Sequence, residues 1–320
     1  MIDYISATKY KCKDSLFLGH CKPVQTFQDS GLALYHLEGC ELLKIWHYPA
    51  ADKVKVEGSL PYFLKGNNFT FSTSELVEAV DIIDTLLGGV GLWGALLDSF
   101  ENGVIMPVEA KPKEFICRHS ASAGSHLRKA LNEKYSGKFV MWQGQGLDLK
   151  LYDAGANIKM KQGQVRREVI ESAGWNPAGN YLKFEARYTK PSLLTNGVGV
   201  PLEKLQNESF LNMLKGDLME NYHTLSPARA LLPATDKKDC SSLDLALRAL
   251  ADALINGQGL SLQEARRQVY AIINATPCLS KADKDARKAQ IRKALAKLQE
   301  APESPWDLSG RLEDALAIDL

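Results

Sequence analysis

Between Met1 and Tyr188 the chain repeatedly alternates apolar and polar residues, and this period of two restricts its fold more than any other feature. Successive side chains of a strand point to opposite faces, so alternation means a sheet with one packed face and one polar face. The clearest case is Tyr181 to Tyr188, where Leu182, Phe184 and Ala186 face one way and Lys183, Glu185 and Arg187 the other. In Leu147 to Asp153, Leu147, Leu149 and Leu151 turn inward while Asp148, Lys150 and Tyr152 line the polar side. Met1 to Thr8, two runs within Leu32 to Trp46, Lys53 to Glu57 and Val104 to Ala110 read as further strands. Phe139 to Trp142 and Leu147 to Tyr152 predict a hairpin closed by Gly144–Gly146. Val104, Met106 and Val108 share a face and leave Glu109 on the other; Pro107, which lacks an N–H, predicts an edge strand.

Helices interrupt the strands. Ser72 and Glu75 have capping-box spacing, and Leu76, Val77, Val80, Ile83 and Leu87 follow at helical intervals until Gly88-Gly89. Gly124 to Lys134 and Val165 to Ala173 read as two more helices. Beyond Leu225 the pattern changes: Pro227 and Pro233 bracket a linker, and Ser242 to Asn256, Leu262 to Ala275 and Lys281 to Gln299 follow helical periodicity. The expectation is a mixed region over 1–225, a helical region over 240–300 and a loose acidic tail over 301–320.

The formal net charge of +1 means that any nucleic-acid footprint must be local. One such footprint is the last helix, where Lys281, Lys284, Arg287, Lys288, Arg292, Lys293 and Lys297 outnumber Asp283 and Asp285; the plain alternative is a solvated face. The six cysteines form no CxxC pair and lie too far apart for a zinc site, so free thiols in a reducing compartment are expected. No run reaches the roughly 18 apolar residues of a membrane span. No signal peptide is evident, and the expected location is cytoplasmic. Nucleotide-binding GxxxxGK[ST], metalloprotease HExxH and hydrolase GxSxG signatures are missing. Gly88-Gly89-Val90-Gly91 follows a helix and reads as its stop. His119 and His126 would meet as metal ligands only if one helix joined them. Tyr152 on its own is an ordinary amphipathic strand tyrosine. A phenol is a weak nucleophile near its free pKa of about 10 unless a cation or metal favours the phenolate.

Several segments, in order, resemble the replication initiators of filamentous phages and related plasmids, the gene II family of replication endonucleases. They are Met1-Ile2-Asp3, Lys44-Ile45-Trp46, Val54 to Leu60 running through Phe63-Leu64-Lys65-Gly66-Asn67-Asn68, Val108-Glu109-Ala110, Leu149-Lys150-Leu151-Tyr152, and Tyr181 to Arg187 followed by Gly199-Val200-Pro201-Leu202. The resemblance covers roughly residues 1–225. It implies an α+β fold, an antiparallel sheet with packed helices, followed here by a small C-terminal helical region.

It also implies rolling-circle replication in a bacterial host: a site-specific endonuclease and strand transferase that nicks one strand at an origin, keeps the 5′ phosphate on a tyrosine and later rejoins the strand. Carried onto this sequence, Tyr152 is the nucleophile and Glu109 the metal-binding carboxylate, with Mg²⁺ or Mn²⁺ as the cation. The family's Gly-His-Asn histidine is Asn67 here, either a weaker ligand or a turn residue after Gly66. The family's lysine two residues after the tyrosine is Ala154, so Lys150 or Lys159 would replace it. Lys161, Arg166 and Arg167 follow the tyrosine and would hold the DNA backbone, as would Lys183 and Arg187 on the neighbouring strand. Glu185 and Arg187 could equally form a surface ion pair. The implied partners are single- and double-stranded origin DNA and the host helicase and polymerase. The competing expectation is a non-catalytic origin-binding or copy-control protein of the same fold.

Overall fold

The computed structural model describes residues 2–38, 40–120, 127–130, 138–156, 166–225, 250, 262–275, 277–296 and 306–318. Its frame is one ten-stranded sheet. In chain order the strands are β1 (Ile2–Tyr10), β2 (Cys21–Phe27), β3 (Leu32–Leu37), β4 (Cys40–Tyr48), β5 (Lys53–Ser59), β6 (Leu96–Val108), β7 (Arg128–Ala130), β8 (Phe139–Gln143), β9 (Leu147–Asp153) and β10 (Asn180–Tyr188). In space they run β2-β3-β4-β5-β1-β6-β10-β9-β8-β7. Every neighbouring pair is antiparallel. The fold is thus α+β, as the alternation and the resemblance implied.

The helices are α1 (Leu60–Lys65), α2 (Thr73–Leu86), α3 (Pro112–His119), α4 (Arg166–Ser172), α5 (Glu208–His223), α6 (Leu262–Ala275), α7 (Lys281–Leu295) and α8 (Ser309–Ile318). Helix α2 starts at Ser72 with the expected capping box. Its Leu76, Val80 and Ile83 share one buried core with Ile5, Ala7, Val54 and Val56 of β1 and β5. The same apolar layer continues through Met106, Leu149, Leu151, Leu182 and Phe184 to Phe115 of α3 and Leu214 and Leu218 of α5. Full burial of such a side chain stabilises by about 1.5–3 kcal/mol, so this layer fixes the sheet's inner face. Helix α4 belongs to a smaller cluster on the opposite face, where Ile170 meets Phe69, Ile105, Ala154 and Tyr181.

Three expectations change. Arg128–Ala130, expected inside a helix, pairs with β8 as a strand. Pro107 lies on β6, a central strand of the sheet. Proline is tolerated there because β1 reaches only Asn102, so beyond that point one side of β6 is open. The Pro107 carbonyl faces that open side and accepts from Arg311 Nη1 at 3.0 Å. The tail is not loose throughout: Leu308, Leu312 and Leu316 join the main core, and α8 packs on α5 and β6. The last charged helix ends at Leu295, and Ser242 to Asn256 and the linker lie almost wholly outside the described residues. Cys12, Cys21, Cys40, Cys117 and Cys278 are free thiols. Among the described residues no helix is long and apolar enough to cross a membrane.

Candidate functional site

The outer face of the sheet gathers ionisable groups where β1, β6, β10 and β9 lie side by side. Lys183 sits opposite Tyr152, and Glu185 opposite Lys150, in the β10–β9 register. Across β6, Glu185 faces Gly103 and Arg187 faces Glu101. A Cβ at Gly103 would come within 2.5 Å of the Glu185 Cβ, so the missing side chain is what lets the two strands carry Glu185 there.

Asp3 reaches this face through an irregularity. Strict alternation would send residue 3 inward with Ile5 and Ala7. A register shift in β1 between Ile2 and Tyr4 instead turns both Asp3 and Tyr4 outward. Bulges commonly re-aim a side chain in this way. Asp3 Oδ1 then accepts from Ser59 Oγ at 2.8 Å, and Oδ2 accepts from Asn68 Nδ2 at 2.9 Å and from the Lys183 ammonium.

Lys183 is fully buried between Asp3 and Glu185, its ammonium 3.3 Å from Glu185 Oε2. The Tyr152 hydroxyl donates to that same Glu185 oxygen at 2.9 Å. Lys150 stands 3.8 Å from Glu185 Oε1, with its ammonium 4.3 Å from the centre of the Tyr152 ring. Arg187 pairs with Glu101 at 3.7 Å and lies over the Tyr4 ring. One oxygen from each of Asp3, Glu101 and Glu185 falls within 4.8 Å of the others.

Burial sets the electrostatics. It would raise the Asp3 carboxyl, but the Lys183 charge and the hydrogen bonds from Lys183, Asn68 and Ser59 hold it below its usual range. Burial, reinforced by the charges of Glu185 and Asp3, pushes Glu101 up to about 7 despite Lys183 and Arg187. Burial would strip the Lys183 proton, yet Asp3, Tyr152 and Glu185 hold it firmly as the ammonium. The Tyr152 phenol is pushed well up by burial and by the charge of Glu185, so it is neutral near pH 7. Acting as a nucleophile, such a phenol would need a base, and the group its hydroxyl donates to is the Glu185 carboxylate.

The three clustered carboxylates fit a hard divalent cation. Oxygen ligands on opposite sides of a Mg²⁺ ion stand about 4 Å apart, given bonds of about 2.0–2.1 Å, so the three oxygens would draw slightly inward around it. Lys183 supplies the positive charge that Asp3 and Glu185 require when no such ion is bound.

The residues expected from the sequence fall into three groups. Tyr152, Lys150, Lys183 and Arg187 converge here, together with Glu185. Glu109 and Asn67 stand apart from this group. Glu109 follows the end of β6, is exposed, and pairs with Arg311 at 3.3 Å. Asn67 is buried with its Oδ1 accepting from the Phe69 N–H at 3.2 Å, the turn role that competed with ligation; its neighbour Asn68 contacts Asp3. Lys159 and Lys161 lie outside the described residues, and Arg166 and Arg167 open α4. Asp3 and Glu101 were not singled out from the sequence. The bulge hides Asp3 from an alternation count, and Leu96 to Gly103 carries too many polar residues to read as strand. On the inner side, His119 is buried against Tyr222, and His126 lies outside the described residues.

No protein-family model matches the chain, and no curated protein matches it, so the ordered resemblance in the sequence stands on its own segments. Among solved structures, a rolling circle replication initiator protein from Geobacillus stearothermophilus is similar over 74% of this chain and 88% of that chain, at 9% identity and a TM-score of 0.39. That likeness is too low to assign any residue a role.

Proposed function

We propose that the chain is a DNA replication initiator that cleaves and rejoins one strand through Tyr152. One observation carries this reading: the Tyr152 hydroxyl donates to Glu185, a member of a three-carboxylate cluster on the outer face of the sheet. In the proposed step the Tyr152 oxygen attacks a backbone phosphorus and its proton passes to Glu185. The Tyr–O–P bond forms, the bond to the 3′ oxygen breaks, and the 3′ hydroxyl departs with a proton from solvent. The 5′ phosphate stays on the phenol as an ester, so the reverse attack rejoins the strand without an external energy source. Lys150, beside the Tyr152 ring, stabilises negative charge as it develops on the phenol and phosphate. Lys183 keeps Asp3 ionised and holds both Asp3 and Glu185 in place. A divalent cation held by Asp3, Glu101 and Glu185 would polarise the phosphate oxygens.

The test is incubation with supercoiled DNA carrying the cognate origin, in Mg²⁺ or Mn²⁺. A covalent protein–DNA adduct should form, vanish in Tyr152→Phe, and depend on metal less steeply in Glu101→Gln. An adduct of undiminished yield in Tyr152→Phe moves the nucleophile elsewhere. The second reading, an origin-binding protein without catalysis, is favoured by the 6% exposure of Tyr152 and by the ammonium already seated among the acids. Origin binding without any adduct under either metal would establish it.

A further inference from the structure

Cations set against aromatic rings recur along the outer face of the sheet, well beyond the Tyr152 cluster. Lys53 on β5 lies directly between Tyr48 of β4 and Tyr10 of β1 in the register. Its ammonium is 4.3 Å from the Tyr48 ring centre and 5.9 Å from that of Tyr10. Among the described residues Lys53 has no carboxylate within ion-pair distance, and Tyr10 is 50% exposed. The next row inward is Trp46, Lys55 and Thr8, with Lys55 shared between Glu57 at 3.4 Å and Asp98 at 3.8 Å. The Arg187–Tyr4 pair follows, and then Lys150 over Tyr152.

We infer that the Tyr48–Lys53–Tyr10 row is a single-stranded DNA subsite, a continuation of the track that begins at Tyr152. Rings on an open face with interleaved cations offer stacking to bases and charge to phosphates, whatever the sequence. Of the acids between this row and Tyr152, Glu57 and Asp98 are paired with Lys55, Glu101 with Arg187, and Asp3 and Glu185 with Lys183. Asp52, beside Lys53 in the chain, accepts backbone N–H groups of Cys12 and Lys13 through Oδ1. From Asp3 to Tyr10 the face extends about 20 Å, a run of several nucleotides. The direction of the track rests on the proposed cleavage at Tyr152; the binding of a single strand to this row does not.

The experiment uses the full chain and a labelled oligothymidylate, read by fluorescence anisotropy at two salt concentrations. Tyr10→Ala, Tyr48→Ala and Lys53→Ala should each weaken binding roughly tenfold. Tyr10→Phe and Tyr48→Phe should bind like the parent protein. Thermal melts run alongside, and the exposed Tyr10 makes Tyr10→Ala the variant least able to disturb the fold. Unchanged affinity in Tyr10→Ala and Lys53→Ala overturns the inference, as does an equal loss for duplex DNA, which would mean that only backbone charge is read. Adduct yield at saturating DNA separates the two readings. If the parent protein forms no Tyr152 adduct while oligothymidylate binding still depends on Lys53, cleavage fails and the subsite stands. If Tyr152 cuts normally and the row variants bind normally, the reverse holds.

Discussion

Among the buried tyrosine hydroxyls, Tyr222 on the inner face and Tyr152 on the outer face of the sheet have surroundings that differ in kind. On the inner face, Tyr222 accepts the Leu308 N–H at 2.7 Å and lies 3.0 Å from His119 Nε2 and 3.3 Å from Asp307. His119 Nδ1 is 2.9 Å from the Phe115 carbonyl. A neutral imidazole that donates from Nδ1 and accepts at Nε2 satisfies both contacts. That network ties α3, α5 and the start of α8 together and carries little charge. On the outer face, Tyr152 shares its site with three carboxylates and two lysines. Proteins bury so many charges at a cost in stability, since each must shed water. The inner network is explained by the contacts it makes. The outer one gathers buried charge at a desolvation cost, which marks it as a candidate functional site.

This contrast can be broken experimentally. The largest effect should come from Lys183→Met, which leaves Asp3 and Glu185 buried without their cation. A loss of about 3–5 kcal/mol is expected in urea unfolding, partly restored by Mg²⁺ or Mn²⁺. An equally stable variant that ignores both metals would mean that the acids are not a charged cluster at all.

Next comes pH on the inner side. Burial holds His119 at about 4, below its ordinary 6.5, although the Phe115 carbonyl and Asp307 pull it up. Between those values the unfolded chain binds the extra proton, so stability is complete above about pH 6.5 and falls toward pH 4. The loss should reach about 3 kcal/mol at the acid end. Unfolding curves for His119→Gln should lack this component, and an identical pH slope in the variant would break the assignment.

The paired substitutions Tyr222→Phe and Tyr152→Phe sharpen the comparison further. Tyr222→Phe removes the acceptor of the Leu308 N–H and should cost about 2 kcal/mol, with faster amide exchange across Ser309 to Ile318. Tyr152→Phe leaves Glu185 with Lys183 and Lys150, so about 1 kcal/mol is expected. The reverse order would mean that the outer hydroxyl is the more structural of the two.

Much of the outer network was visible in the sequence, because alternation is local. It placed Lys150, Tyr152, Lys183, Glu185 and Arg187 on polar faces before any pairing was known. What it could not supply was register between distant strands. Glu109 has the same parity as Glu101 on β6, yet it lies four residues beyond Ile105, the residue opposite Lys183, while Glu101 lies four residues before it. Parity alone cannot choose between them. Asp3 was concealed by one bulge. Strand β2 was missed because six of its seven residues are exposed and give no inward rhythm. In the tail, acidic composition masked Leu308, Leu312 and Leu316, whose spacing of four marks one helical face.

The Asp3–Lys183 ion pair joins positions 180 residues apart in the chain. Closing so long a loop is entropically slow, and both ends must wait for the strands between them to find their register. A nascent chain that has not yet reached β10 lacks both Lys183 and Glu185. Partly folded molecules therefore cannot assemble the charged cluster around the Tyr152 phenol. On the proposed reading the fold is its own safeguard, because an unfinished molecule has no means of cutting the DNA it meets.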